Sequence, residues 1–82
     1  MKNKKLLEKI LSNSKNIKFH DFIKLLYGFG FELDRVKGSH HIFKKDGVKE
    51  LINIQNVNNK VKRYQIKQFV AIIDKYNLKL EN

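Results

Sequence analysis

Cysteine and proline are both absent from this 82-residue chain. Without cysteine there is neither a disulfide frame nor a thiolate metal site. Acids are scarce: 8 Asp and Glu stand against 18 Lys and Arg, a formal net charge of +10. Such a balance favours an acidic partner, nucleic acid above all. Long hydrophobic runs are missing too. No stretch approaches the ~18 apolar residues of a transmembrane helix. The opening Met1-Lys2-Asn3-Lys4-Lys5 has the charge of a secretory leader, but Glu8 and Lys9 interrupt the apolar stretch behind it. A cytoplasmic protein with no membrane segment is the expectation. There is no internal repeat and no low-complexity tract. What is present suffices for a core: hydrophobic residues make up 41% of the chain. That content excludes global disorder and, at this length, implies one small domain.

Periodicity supplies the elements. Leu6, Leu7, Ile10 and Leu11 recur at helical spacing, so residues 3–12 form a short amphipathic helix packed through those four side chains. Ser12-Asn13-Ser14-Lys15-Asn16 reads as a linker. A second helix over 19–28 carries the stripe Phe19, Phe22, Ile23 and Leu26, stopped by Gly28 and Gly30. Phe31 to Val36 alternates as a half-buried strand does. Lys37-Gly38-Ser39 turns the chain into a second strand, His40 to Lys44. Asp46-Gly47 is a tight-reversal signal, and Leu51 to Gln55 is a third strand. A last helix, about 62–76, presents Ile66, Phe69, Val70 and Ile73 on one face. The tyrosines Tyr27, Tyr64 and Tyr76 are read as rimming the core. Three consecutive strands with short turns predict an antiparallel meander, with the helices on one face and the other face open.

One segment concentrates chemistry. Lys37-Gly38-Ser39-His40-His41-Ile42-Phe43-Lys44-Lys45 holds two of the three histidines among cations and no acid. Cleavage of RNA by its own 2′-hydroxyl needs a base, an acid and a cation or donor at the phosphate. Histidine serves either proton role near neutral pH. Adjacent strand residues point to opposite faces, so His40 and His41 cannot both meet one substrate on a regular strand. If Phe43 points into the core, His41 shares its side, and His40 and Ile42 lie on the open face. His40 is then the chemical residue. Adjacent histidines cannot easily chelate one ion and no third ligand is evident, so no metal site is expected. His20 is read as part of a solvated helix face. A second basic stretch, Lys60, Lys62, Arg63 and Lys67, opens the last helix, where backbone N–H groups favour phosphate and Tyr64 and Gln65 add donors. Gly38 has an ordinary role in the turn, and a functional one if backbone approaches a ligand there.

The motif Gly38-Ser39-His40-His41-Ile42-Phe43, set after Gly30-Phe31-Glu32-Leu33-Asp34-Arg35-Val36-Lys37 and before a hydrophobic strand and a basic helix, resembles the HicA family of bacterial toxins. These are small RNA-cleaving members of toxin–antitoxin pairs. The resemblance covers roughly residues 17–78. It implies a double-stranded-RNA-binding-domain-like α+β fold of order α-β-β-β-α, metal-independent mRNA cleavage without a cofactor, and a HicB-type antitoxin covering the active site. The family's catalytic histidine follows Gly-Ser, which here is His40. Lys37, Gly38, Ser39, His41, Lys44, Lys45, Lys60, Lys62 and Arg63 are the expected RNA-binding residues. Two departures stand out. Residues 1–16, the first helix and linker, extend beyond the family pattern, leaving 17–82 as the domain proper. Many members also carry a proline and a histidine in or after the third strand, where this chain has Gln55-Asn56-Val57-Asn58. The function expected is therefore that of an endoribonuclease toxin. The alternative is a non-catalytic RNA-binding module of the same fold, which reads RNA shape and needs no histidine.

Overall fold

The computed structural model describes residues 3–12 and 16–81, so part of the expected linker, Asn13 to Lys15, lies outside the described residues. Three helices and three strands follow one another as α1 (Asn3–Leu11), α2 (Phe19–Gly28), β1 (Glu32–Lys37), β2 (His40–Lys45), β3 (Val48–Gln55) and α3 (Arg63–Lys75). The strands form one antiparallel sheet in the order β1-β2-β3. This is an α+β fold with the element order that the periodicities predict.

Both hairpins close through two residues. Lys37 pairs with His40 across Gly38-Ser39, and Gly38 takes φ +58°, the left-handed conformation a II′ turn requires at its first central position. Lys45 pairs with Val48 across Asp46-Gly47, with Gly47 at φ +85°. That turn delivers the chain directly into pairing, so β3 begins at Val48 rather than at Leu51.

The core lies between the sheet and the helices. Phe43, Ile52 and Ile54 supply the sheet side, and Phe22, Leu25, Leu26, Ile66 and Phe69 the helix side. Phe69 is the hub, meeting the rings of Phe22 at 5.2 Å and Phe29 at 5.4 Å edge to face. The helix α1 joins the same core through Leu6 and Ile10, with Leu7 half-buried against it. It lies along α2, and the Asn3 side chain donates to the Lys24 carbonyl at 3.3 Å. Gly28 leaves room for this contact, since a Cβ there would displace the Asn3 amide. Leu11 does not pack as expected. It is 59% exposed, because α1 touches the core through the narrow stripe of Leu6 and Ile10 at i, i+4.

Two strand expectations also need correction. The alternation over Phe31 to Val36 predicts a half-buried strand, yet every residue of β1 is exposed. Phe31 is buried but precedes the strand. A bulge at Asp34 breaks the period of two: Leu33 opposes Phe43, whereas Arg35 opposes Ile42. Leu33 and Val36 therefore point to the helix side, but on an edge strand that the helices do not cover. Ile42 is buried rather than open. It lies outside the core cluster and is flanked on its own face by Arg35 and Asn53, directly across the two neighbouring strands.

Candidate active site

The sheet face turned away from the helices is organised by the hairpin after Lys37. His40 is the first residue of β2, and its cross-strand neighbours are Lys37 on β1 and Gln55 on β3. Directly opposed residues share a face, with Cβ atoms roughly 5 Å apart. Two residues along each strand, on the same face, lie Arg35, Ile42 and Asn53, and beyond them Glu32 and Lys44. His40 thus sits in a row of polar and cationic side chains. Its Nδ1 is 3.0 Å from Asn53 Oδ1. The Gln55 amide donates to Ser39 Oγ at 3.4 Å, and Asn56 N–H donates to the Ser39 carbonyl at 3.1 Å. These contacts tie the turn before His40 to the end of β3.

His41 faces the other way. It opposes Val36 and Ile54, and its ring meets the edge of Phe19 with centroids 4.9 Å apart. Its Nδ1 is buried and has no hydrogen-bond partner among the described residues. The strand is regular at this point, so the two imidazoles do not share a substrate.

The loop behind β3 brings a second group to the same end of the sheet. Phe19 N–H donates to the Asn59 carbonyl at 2.8 Å, and Val61 N–H donates to the Ile17 carbonyl at 3.0 Å. Asn58 and Asn59 adopt φ +52° and +65°, a conformation asparagine tolerates. The loop Asn56–Lys60 is thereby pinned between Ser39 and the start of α2. Among the described residues, no group of three or more histidines and carboxylates is placed to hold a metal ion.

A family model described as the HicA toxin of bacterial toxin–antitoxin systems matches residues 19–75. The chain belongs to the HicA toxin family. No curated protein and no solved structure matches it. The family match begins at α2 and ends with α3, so α1 lies outside it.

Within the HicA domain the expected site residues divide by position. Lys37, Gly38, Ser39, His40 and Lys44 gather on the open face or at its rim. Lys44 Nζ reaches Asp34 at 3.8 Å, and Arg35 pairs with that same carboxylate at 2.8 Å. Apart from its chain neighbours, no described atom lies within 4 Å of where a Cβ on Gly38 would stand, so the turn conformation alone requires glycine there. Lys60 and Lys62 flank the loop, Lys60 donating to Asn16 Oδ1 at 3.3 Å. Three expected residues stand apart. His41 is on the helix side. Lys45 is at the far end of β2, about 16 Å along the strand from His40 at ~3.3 Å per residue. There it is largely buried and paired with Glu81 at 2.8 Å. Arg63 lines a groove between α1 and α3, of about 660 Å³, with Ile10, Leu11 and Val70.

Three residues of this HicA site escape a reading of types alone. Asn53 and Gln55 flank His40, and the alternation Ile52-Asn53-Ile54-Gln55 carries the signal, because it assigns both to the face opposite the core. Gln65 is 2% exposed. It sits one turn before Phe69, in the apolar stripe. Its amide donates to the Asn53 carbonyl at 3.2 Å and its Oε1 accepts from Lys62 N–H at 3.3 Å. Its donor is thus committed inside the protein rather than offered to phosphate. Tyr64 does not rim the core; it is 61% exposed, with Lys62 Nζ 5.9 Å from its ring centre.

Proposed function

We propose that this chain is the toxin of a type II toxin–antitoxin system and acts as a metal-independent endoribonuclease on mRNA, with His40 as its principal general acid or base. The observation that carries the reading is the position of His40 on the open sheet face beside Lys37, in a chain of the HicA family. The α-β-β-β-α order of residues 19–75 supports a double-stranded-RNA-binding-domain-like fold, with RNA lying across the face that the helices leave free.

In the reaction, the substrate's 2′-oxygen bonds to phosphorus as its proton passes to the imidazole. The bond to the 5′-oxygen breaks, and that oxygen takes up a proton from solvent. Negative charge grows on the phosphoryl oxygens, and Lys37 with Lys44 would offset it. Lys60 and Lys62 extend the cationic surface along the strand of RNA. The partner that restrains such a nuclease is a HicB-type antitoxin, which would bury His40 and present acidic residues to this face. The substrate makes the cytoplasm the place of action.

The test is RNA cleavage in EDTA by wild type, His40→Ala and His41→Ala, with RNA affinity measured alongside. His40→Ala should lose about 10²–10⁴-fold in rate, the usual cost of removing a positioned proton-transfer group, while retaining most binding. His41→Ala should keep partial activity. Cleavage abolished by EDTA would refute the metal-free mechanism. Full cleavage by His40→Ala would refute the assignment, and RNA binding without any cleavage would favour the non-catalytic module.

A further inference from the structure

We propose that Asn53 is a positioning residue for His40: its side-chain oxygen holds the imidazole in the tautomer with the proton on Nδ1, leaving the Nε2 lone pair free. Nothing in the family motif carries this role, which follows from the strand pairing. His40 and Asn53 lie on adjacent strands and on the same face, offset by two residues along the strand, and Nδ1 and Oδ1 are 3.0 Å apart. With the Asn53 amide turned so that Oδ1 faces the ring, the facing nitrogen carries hydrogen, because an amide oxygen only accepts. A free histidine side chain in water prefers its proton on Nε2, so the contact reverses the intrinsic preference. The consequence is directional. A neutral ring held this way has its only lone pair on Nε2, the nitrogen away from Asn53, and can accept a proton there but not donate one. Resting on the reading of His40 as the proton-transfer residue, the contact assigns it the role of base toward the 2′-hydroxyl.

Asn53 is itself held. Its backbone carbonyl accepts the bond from the buried Gln65 amide, and Gln65 is fixed in turn by Lys62 N–H at the start of α3. The backbone from which the Asn53 side chain reaches His40 is therefore anchored through β3 to the helix layer, rather than carried on a free surface segment. Restriction of this kind is what makes a hydrogen-bond partner useful for orientation, because a mobile amide would follow the ring instead of setting it.

The test reads the tautomer directly. Long-range proton–nitrogen NMR correlations through the carbon-bound ring protons distinguish Nδ1–H from Nε2–H without substrate, and His40→Ala identifies the His40 signals. Wild-type His40, at a pH where the ring is neutral, should show Nδ1–H. Asn53→Leu should revert it toward Nε2–H, and Asn53→Asp, which keeps an acceptor, should retain Nδ1–H. Cleavage by Asn53→Leu should fall about 10–100-fold, the cost known for partners that orient metal-bound histidines, a loss larger than any change in RNA affinity. An Nε2–H signal in wild type would overturn the inference. So would an Asn53→Leu protein that loses the Nδ1–H form yet cleaves at the wild-type rate. A wild-type protein that shows Nδ1–H, lost in Asn53→Leu, but cleaves no RNA would uphold the contact and defeat the ribonuclease reading alone.

Discussion

Replacing Gln65 by methionine sets two physical effects against each other. Gln65 occupies a buried position in the apolar stripe of α3, so a reading of the stripe alone predicts that an apolar side chain of similar length stabilises the protein. Transfer of the side chain from water then contributes roughly 1–2 kcal/mol in favour of methionine. The structure predicts the opposite sign. Gln65 makes two hydrogen bonds, to the Asn53 carbonyl and from Lys62 N–H. Each is worth about 1 kcal/mol net, and a carbonyl left unpaired in this part-buried setting costs ~1–3 kcal/mol more. The Asn53 carbonyl belongs to β3, an edge strand paired with β2 alone among the described residues, and the Gln65 amide is the donor it meets on α3. Hydrogen-bond loss outweighs the apolar gain, and Gln65→Met should destabilise by about 1–3 kcal/mol. For a domain of this size each kcal/mol lowers the melting temperature by roughly 4–8 °C. Urea denaturation and thermal melting of both proteins measure the difference. A variant as stable as wild type, or more stable, would refute the claim that Gln65 ties α3 to β3. Cleavage should fall as well, because the same bond anchors Asn53 behind His40.

Other outcomes follow from the same geometry. Lys37→Ala and Lys44→Ala should each weaken RNA binding and flatten its salt dependence, by about 0.7 in log–log slope for every phosphate of a single strand that is no longer neutralised. Lys45→Ala, whose lysine is paired with Glu81 away from His40, should leave that slope unchanged; an equal effect for all three would contradict the division of the basic face. Leu6→Ala should cost about 2–5 kcal/mol in chemical denaturation, as for other fully buried leucines; a negligible loss would show that α1 is not part of the core. Glu50 accepts hydrogen bonds from the Tyr76 hydroxyl at 2.6 Å and Lys75 at 2.9 Å, which together lower its pKa from 4.5 to about 2. A lowered folded-state pKa contributes stability that is complete above the ordinary value and disappears as pH falls toward 2. Glu50→Gln should therefore flatten stability against pH between about 4.5 and 2, and an unchanged acid limb would contradict the role of this pair.

Much of this protein is determined by local sequence. The stripes in α2 and α3, the two glycine turns and the alternation around Ile52 and Ile54 set the order of elements, since each reflects a spacing of two to four residues within one segment. The Gly-Ser-His motif likewise makes His40 the first residue of β2. Pairing across strands decided the rest. Asp34 reads as one more member of an alternating strand, but its bulge turns Val36 rather than Arg35 to the helix side, and edge position leaves β1 exposed. Lys45 belongs to a basic run in the sequence, yet Glu81, 36 residues away, takes its charge. Gln65 looks like a solvated donor at a helix start until β3 is laid beside it. His40 and His41 are neighbours in the chain and lie on opposite faces of the sheet. The residue that meets His40 is Asn53, 13 positions later. Periodicity tells which side of its own strand a residue occupies. Which side chain lies across from it depends on register, and register is set by turns, bulges and burial acting together in the folded sheet.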